Sequence, residues 1–304
     1  MNSSTKCGYV AILGLPNAGK STLMNALLGQ KLSITTSKPQ TTRKKILGIL
    51  SSESYQVIFF DTPGIIKPGY LLQEKMMEAV GDSIRDVDVI VLIIDIFSDP
   101  EGKETLNNVF VSEKVLSSKK SIILLLNKID LTQQENVKQL ISNFESLNKF
   151  KKVIPVAALL NFNTEQALSS IIELLPKGPK LYPDDIIADE NERFFVSEIV
   201  REKIFELYKE EIPYSTEVTI IDFKEREDKK DYILAEVIVE RESQKGILIG
   251  KQGIAIKKLG LEARKAVEEF LQKDVYLELK VKVKDKWRSD ERQLKSFGYI
   301  KPKD

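Results

Sequence analysis

Three observations predict an α/β fold with a mostly parallel sheet, followed by a smaller α+β domain. Short apolar runs alternate with amphipathic stretches through the first half of the chain, the order of a β-α-β succession. The runs at residues 9–13, 88–94 and 121–126 are nearly all apolar, as strands covered on both faces of a parallel sheet are. From residue 176 the segment PKGPKLYPDD concentrates Pro and Gly, and behind it the order of elements changes.

In chain order, strands are expected at residues 9–13, 56–60, 88–94, 121–126 and 152–156, with helices at 20–28, 69–85, 101–116, 133–147 and 164–175. Residues 44–50 and 56–60 flank the polar run SSES, which reads as a hairpin, so one strand of the sheet is antiparallel. The first domain is placed at 1–178, a linker at 179–190 and a second domain at 191–304. In the second, a helix at 194–211 leads to alternating strands at 216–224 and 231–241. A glycine loop, a helix at 255–271, a strand at 275–283 and a polar, helical tail follow.

Composition excludes several classes of chemistry. The 304 residues are 42% hydrophobic and 30% charged, enough apolar material for two cores. A net charge of +1 advertises neither nucleic acid nor membrane, so any basic patch is local. The single cysteine, Cys7, allows no internal disulfide, suits a reducing compartment and reads as a small apolar residue of the first strand. The absence of histidine removes His-based triads and His–zinc sites. The start MNSSTKCGYV lacks the pattern of a signal peptide, and no apolar run reaches the roughly 18 residues of a membrane span.

The chemistry lies in loops behind the strands. GLPNAGKS (Gly14, Leu15, Pro16, Asn17, Ala18, Gly19, Lys20, Ser21) fits G-x-x-x-x-G-K-[ST] between a buried strand and a helix. Its glycines let backbone amides turn around phosphates, Lys20 reaches the β and γ phosphates, and the Ser21 hydroxyl ligates Mg2+. Asp61, Thr62, Pro63 and Gly64 follow the strand at 56–60; the carboxylate can bind Mg2+ through water, and the Gly64 amide can sense whether a γ-phosphate is present. Asn127, Lys128 and Asp130 form N-K-x-D behind the strand at 121–126. The Asp130 carboxylate accepts from guanine N1–H and the N2 amine; adenine lacks that amine, and such a site discriminates by about 10⁴ or more. Asn127 ties this loop to the base and the phosphate loop, and the Lys128 stem covers the ring. The polar loop SITTSKPQTTR (33–43) can fold over the phosphates.

On these residues the first domain resembles the translation-factor-related GTPases, with their Ras-like P-loop fold. G-x-P-N-x-G-K-S with Q-T-T-R, D-T-P-G and N-K-x-D is similar to the TrmE-Era-EngA-like group. The resemblance implies GTP and GDP as ligands. It also implies Mg2+ held by Ser21, Thr42 (in preference to Thr41) and Asp61, and a potassium ion at Asn17. Lys20, Thr42, Asn17 and Gly64 then serve hydrolysis. Where the group has Ser-Ala on the guanine side this chain has Ala157-Ala158, keeping the backbone amide and losing the hydroxyl. Ile65 stands where Ras has a water-orienting glutamine, so slow basal hydrolysis stimulated by K+ and RNA is expected.

In the second domain, Ile249 precedes Gly250-Lys251-Gln252-Gly253 between helical segments. G-x-x-G in this order resembles a KH module of type II, whose glycines admit the backbone of a single strand of RNA. Lys251, Lys257, Lys258 and Arg264 cluster near the loop, and Lys280, Lys282, Lys284, Lys286, Arg288, Arg292 and Lys295 follow. Trp287 reads as packing or as a base-stacking ring. One G domain followed by one KH module resembles the Era branch of the group along essentially the whole chain. That implies a monomeric GTPase binding the 3′ region of small-subunit ribosomal RNA in assembly of the small ribosomal subunit, in the cytoplasm and peripherally on the inner face of the cell membrane. The other readings are an RNA-binding protein with a regulatory, slowly hydrolysing G domain and a membrane-associated signalling GTPase.

Overall fold

Strand β4 (Val89–Asp95), VIVLIID, is buried at every position, which requires cover on both faces. The structure, a computed structural model, describes residues 5–227 and 229–300. Contacts divide the chain into two compact units, Met1–Pro68 with Met76–Asp189, and Gly69–Lys75 with Glu190–Asp304. No helix among the described residues is long and apolar enough to cross a membrane.

In the first unit the described strands are β1 (Lys6–Leu13), β2 (Ile46–Ser51), β3 (Tyr55–Asp61), β4, β5 (Ser121–Asn127) and β6 (Lys152–Pro155). They form one sheet in the order β2-β3-β1-β4-β5-β6. Every neighbouring pair is parallel except β2–β3, the expected hairpin. Because β1 lies between β3 and β4, the loops leaving β1, β3 and β5 open at the carboxyl end of the sheet, where open α/β sheets bind ligands.

Helices α1 (Lys20–Leu28), α2 (Leu71–Asp86), α3 (Lys103–Leu106), α4 (Gln134–Ser146) and α5 (Thr164–Leu174) surround the sheet. Ile90, Leu92 and Leu124 pack with Val80 and Ile84 of α2 and with Val137, Leu140 and Phe144 of α4. Alternate residues such as Val91 and Ile93 face away from that cluster. Helices α1 and α5 touch each other and the sheet.

One expected helix is broken. Residues 101–116 form only α3 and a separate wide turn at Val111–Val115. Asp99 accepts from the amides of Glu104 (3.1 Å) and Thr105 (2.8 Å) and so starts α3. Asn108 accepts from the amides of Phe110 (3.0 Å) and Val111 (3.3 Å), which restarts the chain instead of continuing the helix.

The expected linker residues lie against the first unit. The amides of Leu181 (2.8 Å) and Tyr182 (2.9 Å) donate to Gln56 Oε1, and Gln56 Nε2 donates to the Tyr182 carbonyl (2.8 Å). The Ile49 amide of β2 donates to the Ile187 carbonyl at 2.8 Å, and Ala188 bridges to Gly48.

The second unit contains α6 (Glu192–Leu207), α7 (Ile212–Ser215), β7 (Glu217–Lys224), β8 (Asp231–Val239), α8 (Glu242–Ile249), α9 (Ile254–Leu271), β9 (Val275–Val283) and α10 (Glu291–Ser296). The sheet order is β7-β8-β9, with β8 antiparallel to β7 and parallel to β9. This is the α+β arrangement expected of a type II KH module. Helix α6 ends earlier than the sequence suggests: Tyr208 is extended, and its hydroxyl donates to the Leu248 carbonyl of α8 at 2.8 Å. Val200 and Ile204 of α6, Ala235 and Val237 of β8, and Leu259 and Ala263 of α9 form the core.

Candidate functional site

The loops behind β1, β3 and β5 converge on one cavity of about 370 Å³, lined among others by Pro16, Asn17, Gly19, Lys20, Ser21, Thr42, Gly64, Asn127, Lys128, Asp130 and Ala158. At its phosphate end, glycine is required by space. A Cβ on Gly64 would stand 2.8 Å from Pro16 Cα, and one on Gly14 would stand 2.5 Å from the Ile93 carbonyl oxygen. Gly19 has φ 98, and a Cβ there would lie 2.2 Å from Asn127 Nδ2.

Lys20 is buried and donates to the carbonyls of Leu15 (2.9 Å) and Gly14 (3.3 Å). Burial pushes its ammonium down to about 8, with the Asp61 carboxylate opposing that shift. Asp61 is fully buried at the end of β3, and burial raises its carboxyl above the usual range. Ser21 Oγ donates to Asp61 Oδ2 at 2.7 Å and lies 2.9 Å from Thr42 Oγ1, which is itself 3.5 Å from Asp61 Oδ2. The three expected metal-binding residues therefore meet at one point. The other carboxylate oxygen, Asp61 Oδ1, is buried with no hydrogen-bond partner among the described residues. Two hydroxyls and a buried, unsatisfied carboxylate oxygen are a donor set suited to Mg2+.

Thr41 is placed differently: its hydroxyl donates to the Lys38 carbonyl (2.8 Å) and pairs with Thr36 Oγ1 (2.8 Å), inside its own loop. Asn17, at φ 62, donates to the Ser37 carbonyl at 3.0 Å. Thr62 Oγ1 donates to the Ile12 carbonyl at 2.8 Å, which ties the Asp61–Gly64 turn to β1. Ile65 is buried in the core, and its amide donates to the Gly14 carbonyl at 3.0 Å.

At the base end, Asn127 is a bridge. Its Nδ2 donates to the Ala18 carbonyl at 2.8 Å, and its Oδ1 accepts the Ala158 amide at 3.0 Å. The bridge ties the Ala157–Ala158 loop to the phosphate loop. It also occupies the Ala158 amide, while the Ala157 amide donates to the Phe162 carbonyl at 3.2 Å. Asp130 is exposed at the cavity rim.

Two supporting residues escaped the sequence reading. Asn25 of α1 accepts the amides of Leu32 (3.0 Å) and Ser33 (2.9 Å) and so anchors the start of the polar loop. Asp95, the last residue of β4, holds Lys128 Nζ at 2.6 Å. A polar residue inside a helix and a carboxylate ending an apolar strand were the available signals.

In the second unit, Gly250 (φ 70), Gln252 (φ 53) and Gly253 (φ 76) turn the chain between α8 and α9. A Cβ on Gly250 would meet Ala255 Cβ at 2.6 Å, whereas the space around Gly253 is open. Ile249 is half-buried; Lys251, Gln252, Lys257, Lys258 and Lys286 are exposed. Arg288 is engaged elsewhere, in an ion pair with Glu240. Lys280 and Lys282 pair with Glu278 (3.3 Å) and Glu236 (3.6 Å). Trp287 is fully buried and donates to the Ser215 carbonyl at 2.9 Å, so its ring is packing.

A doubly wound sheet with this loop set, in one chain with a GxxG module, defines a P-loop GTPase carrying a KH unit. A family model described as a 50S ribosome-binding GTPase matches residues 9–128, and one described as a KH domain matches residues 211–288. The chain is 42% identical to GTPase Era of Geotalea daltonii over 96% of this chain and 97% of that protein. It is 45% identical to the chloroplastic GTPase ERA1 of Zea mays over 97% of this chain and 70% of that one. A crystal structure of Era in complex with MgGDPNP and nucleotides 1506–1542 of 16S ribosomal RNA superimposes with a TM-score of 0.92 at 38% identity, covering 97% of this chain and 99% of that one. The chain belongs to the Era family of GTPases, enzymes that hydrolyse GTP.

Proposed function

We propose that this GTPase times its binding to the 3′ region of small-subunit ribosomal RNA during assembly of the small subunit. The observation that carries the reading is the convergence of four motif loops on one cavity, in a chain that also presents a GxxG loop with exposed lysines. The Era structure bound to a 16S ribosomal RNA segment supports the choice of RNA.

Asp130 reads the guanine edge and the Lys128 stem covers the ring. Lys20 meets the β and γ phosphate oxygens. Ser21, Thr42 and Asp61 hold Mg2+, which when bound neutralises charge on the phosphates. The Gly64 amide reports whether the γ-phosphate is present. Attack of water on the γ-phosphorus breaks its bond to the bridging oxygen and leaves GDP and phosphate. Ile65 offers no polar side-chain atom to orient that water, so basal turnover is slow and rises with K+ beside Asn17 and with RNA. Lys251, Gln252, Lys257 and Lys258 meet the RNA backbone, and Ile249 lies beside them; Lys286 adds charge. The proposal includes a monomer, in the cytoplasm, with peripheral contact to the inner face of the cell membrane.

The test is binding of a short RNA from the 3′ end of small-subunit ribosomal RNA with a GTP analogue, with GDP and without nucleotide, at one salt concentration. Binding that requires the GTP analogue is expected. Binding indifferent to nucleotide favours a second reading, an RNA-binding protein whose G unit holds nucleotide with little turnover, which the buried Ile65 also suits.

A further inference from the structure

Lys128 lines the base end of the nucleotide cavity, and the residue that holds its tip lies on a strand outside the four motifs. Asp95 ends β4 and stands in register with Asn127 of β5. Lys128 follows with φ 66, a left-handed turn that brings its side chain back toward the end of β4. There its Nζ meets Asp95 Oδ2 at 2.6 Å. The carboxylate is 9% exposed and the lysine side chain 32%, so the pair is shielded from screening on one side. Asp95 is itself held: its Oδ1 accepts the amides of Phe97 (3.0 Å) and Ser98 (3.3 Å). A long, flexible lysine is thus fixed at its tip by an acceptor that cannot turn.

We propose that Asp95 is a positioning residue for nucleotide recognition, pinning the ammonium of Lys128 so that the methylene stem lies as a lid over the purine ring. The inference rests on the reading of Lys128 given above. It assigns Asp95 to the plane of the base, while Asp130 reads the base's edge. The two carboxylates therefore separate in their effects. Losing the Asp130 contact changes which purine is preferred. Losing Asp95 weakens every 6-oxopurine nucleotide by the same factor.

Asp95→Asn is the suitable change, because its side-chain oxygen still accepts from Phe97 and Ser98 while the charged partner of Lys128 is lost. Release of a fluorescent GDP derivative and of the corresponding inosine derivative is measured by stopped flow for the full chain, for Asp95→Asn, for Lys128→Ala and for the double variant. We expect Asp95→Asn to speed release of both nucleotides roughly tenfold, as loss of a charge-assisted hydrogen bond does, with their ratio unchanged. In the Lys128→Ala background the same change should add nothing. Unchanged release in Asp95→Asn, or an equal effect in both backgrounds, overturns the role of Asp95. Unchanged release in Lys128→Ala shows instead that the reading of Lys128 is wrong. Circular dichroism melting of each variant separates faster release from unfolding. If Asp95→Asn does not fold, Asp95→Glu, which keeps the charge one methylene further out, should retain most of the slow release; tenfold faster release with this variant also overturns the proposal.

Discussion

Lys20 carries a charge in a place built for a partner. Burial lowers its ammonium from 10.5 to about 8. Between those values the unfolded chain holds a proton that the folded chain has released, so stability of the nucleotide-free protein should rise as pH increases from about 8 to 10.5. Below that window both states are protonated and this slope vanishes. Lys20→Met should remove the rise, read as the difference between variant and parent in urea midpoints along the pH series. Lys20→Ala should also abolish tight GTP binding. Thr42 and Thr41 should separate under magnesium titration. Thr42→Ala loses a donor beside Ser21 and Asp61 and should weaken Mg2+-dependent nucleotide binding about tenfold, whereas Thr41→Ala should leave it near the parent value. Asp130→Asn should shift preference from guanine toward xanthine nucleotides, measured by competition. The motif spacing made the placing of Lys20, Ser21, Asp61 and Asp130 legible, because each follows or ends a strand that opens at the same edge of the sheet. Asp95 and Asn25 were not legible, since each acts through a partner that only the sheet order or the loop path brings near.

At the scale of elements, the two glycines of the GxxG loop differ in a way their symmetry in sequence hides. Gly250→Ala meets Ala255 Cβ and a positive φ, while Gly253→Ala meets the φ penalty alone, about 1–2 kcal/mol. The first should therefore lower the melting temperature more than the second. Gly253→Asp should remove RNA binding and leave GTP binding intact. Truncating Trp287 to Ala empties a fully buried site and should cost about 3–5 kcal/mol in chemical denaturation. Strands were easier to read than helices: β4 and β5 are apolar except at their ends, Asp95 in β4 and Ser121 and Asn127 in β5, because both faces are covered. The stretch from 101 to 116 misled because its apolar residues keep a helical spacing while Asp99 and Asn108 each capture backbone amides and divide it.

Across the molecule, neither fold nor site depends on net charge, which is close to zero; what matters is where the charges stand. RNA affinity should fall steeply with salt if Lys251, Lys257 and Lys258 meet phosphates, and each loss of one of them should make the salt dependence shallower by about one charge. The path of the connecting residues was the least legible feature, because Pro and Gly mark a connection without saying what it lies on. The contacts of residues 181–188 with Gln56 and β2 have a practical consequence. Strand β2 is an outer strand of its sheet, and the chain from Ile187 to Ala188 covers part of its rim. A G fragment cut after Gly178 would expose that rim and strip Gln56 of its backbone partners. It should self-associate with rising concentration in light scattering, where a fragment extended through Asp189 stays dispersed.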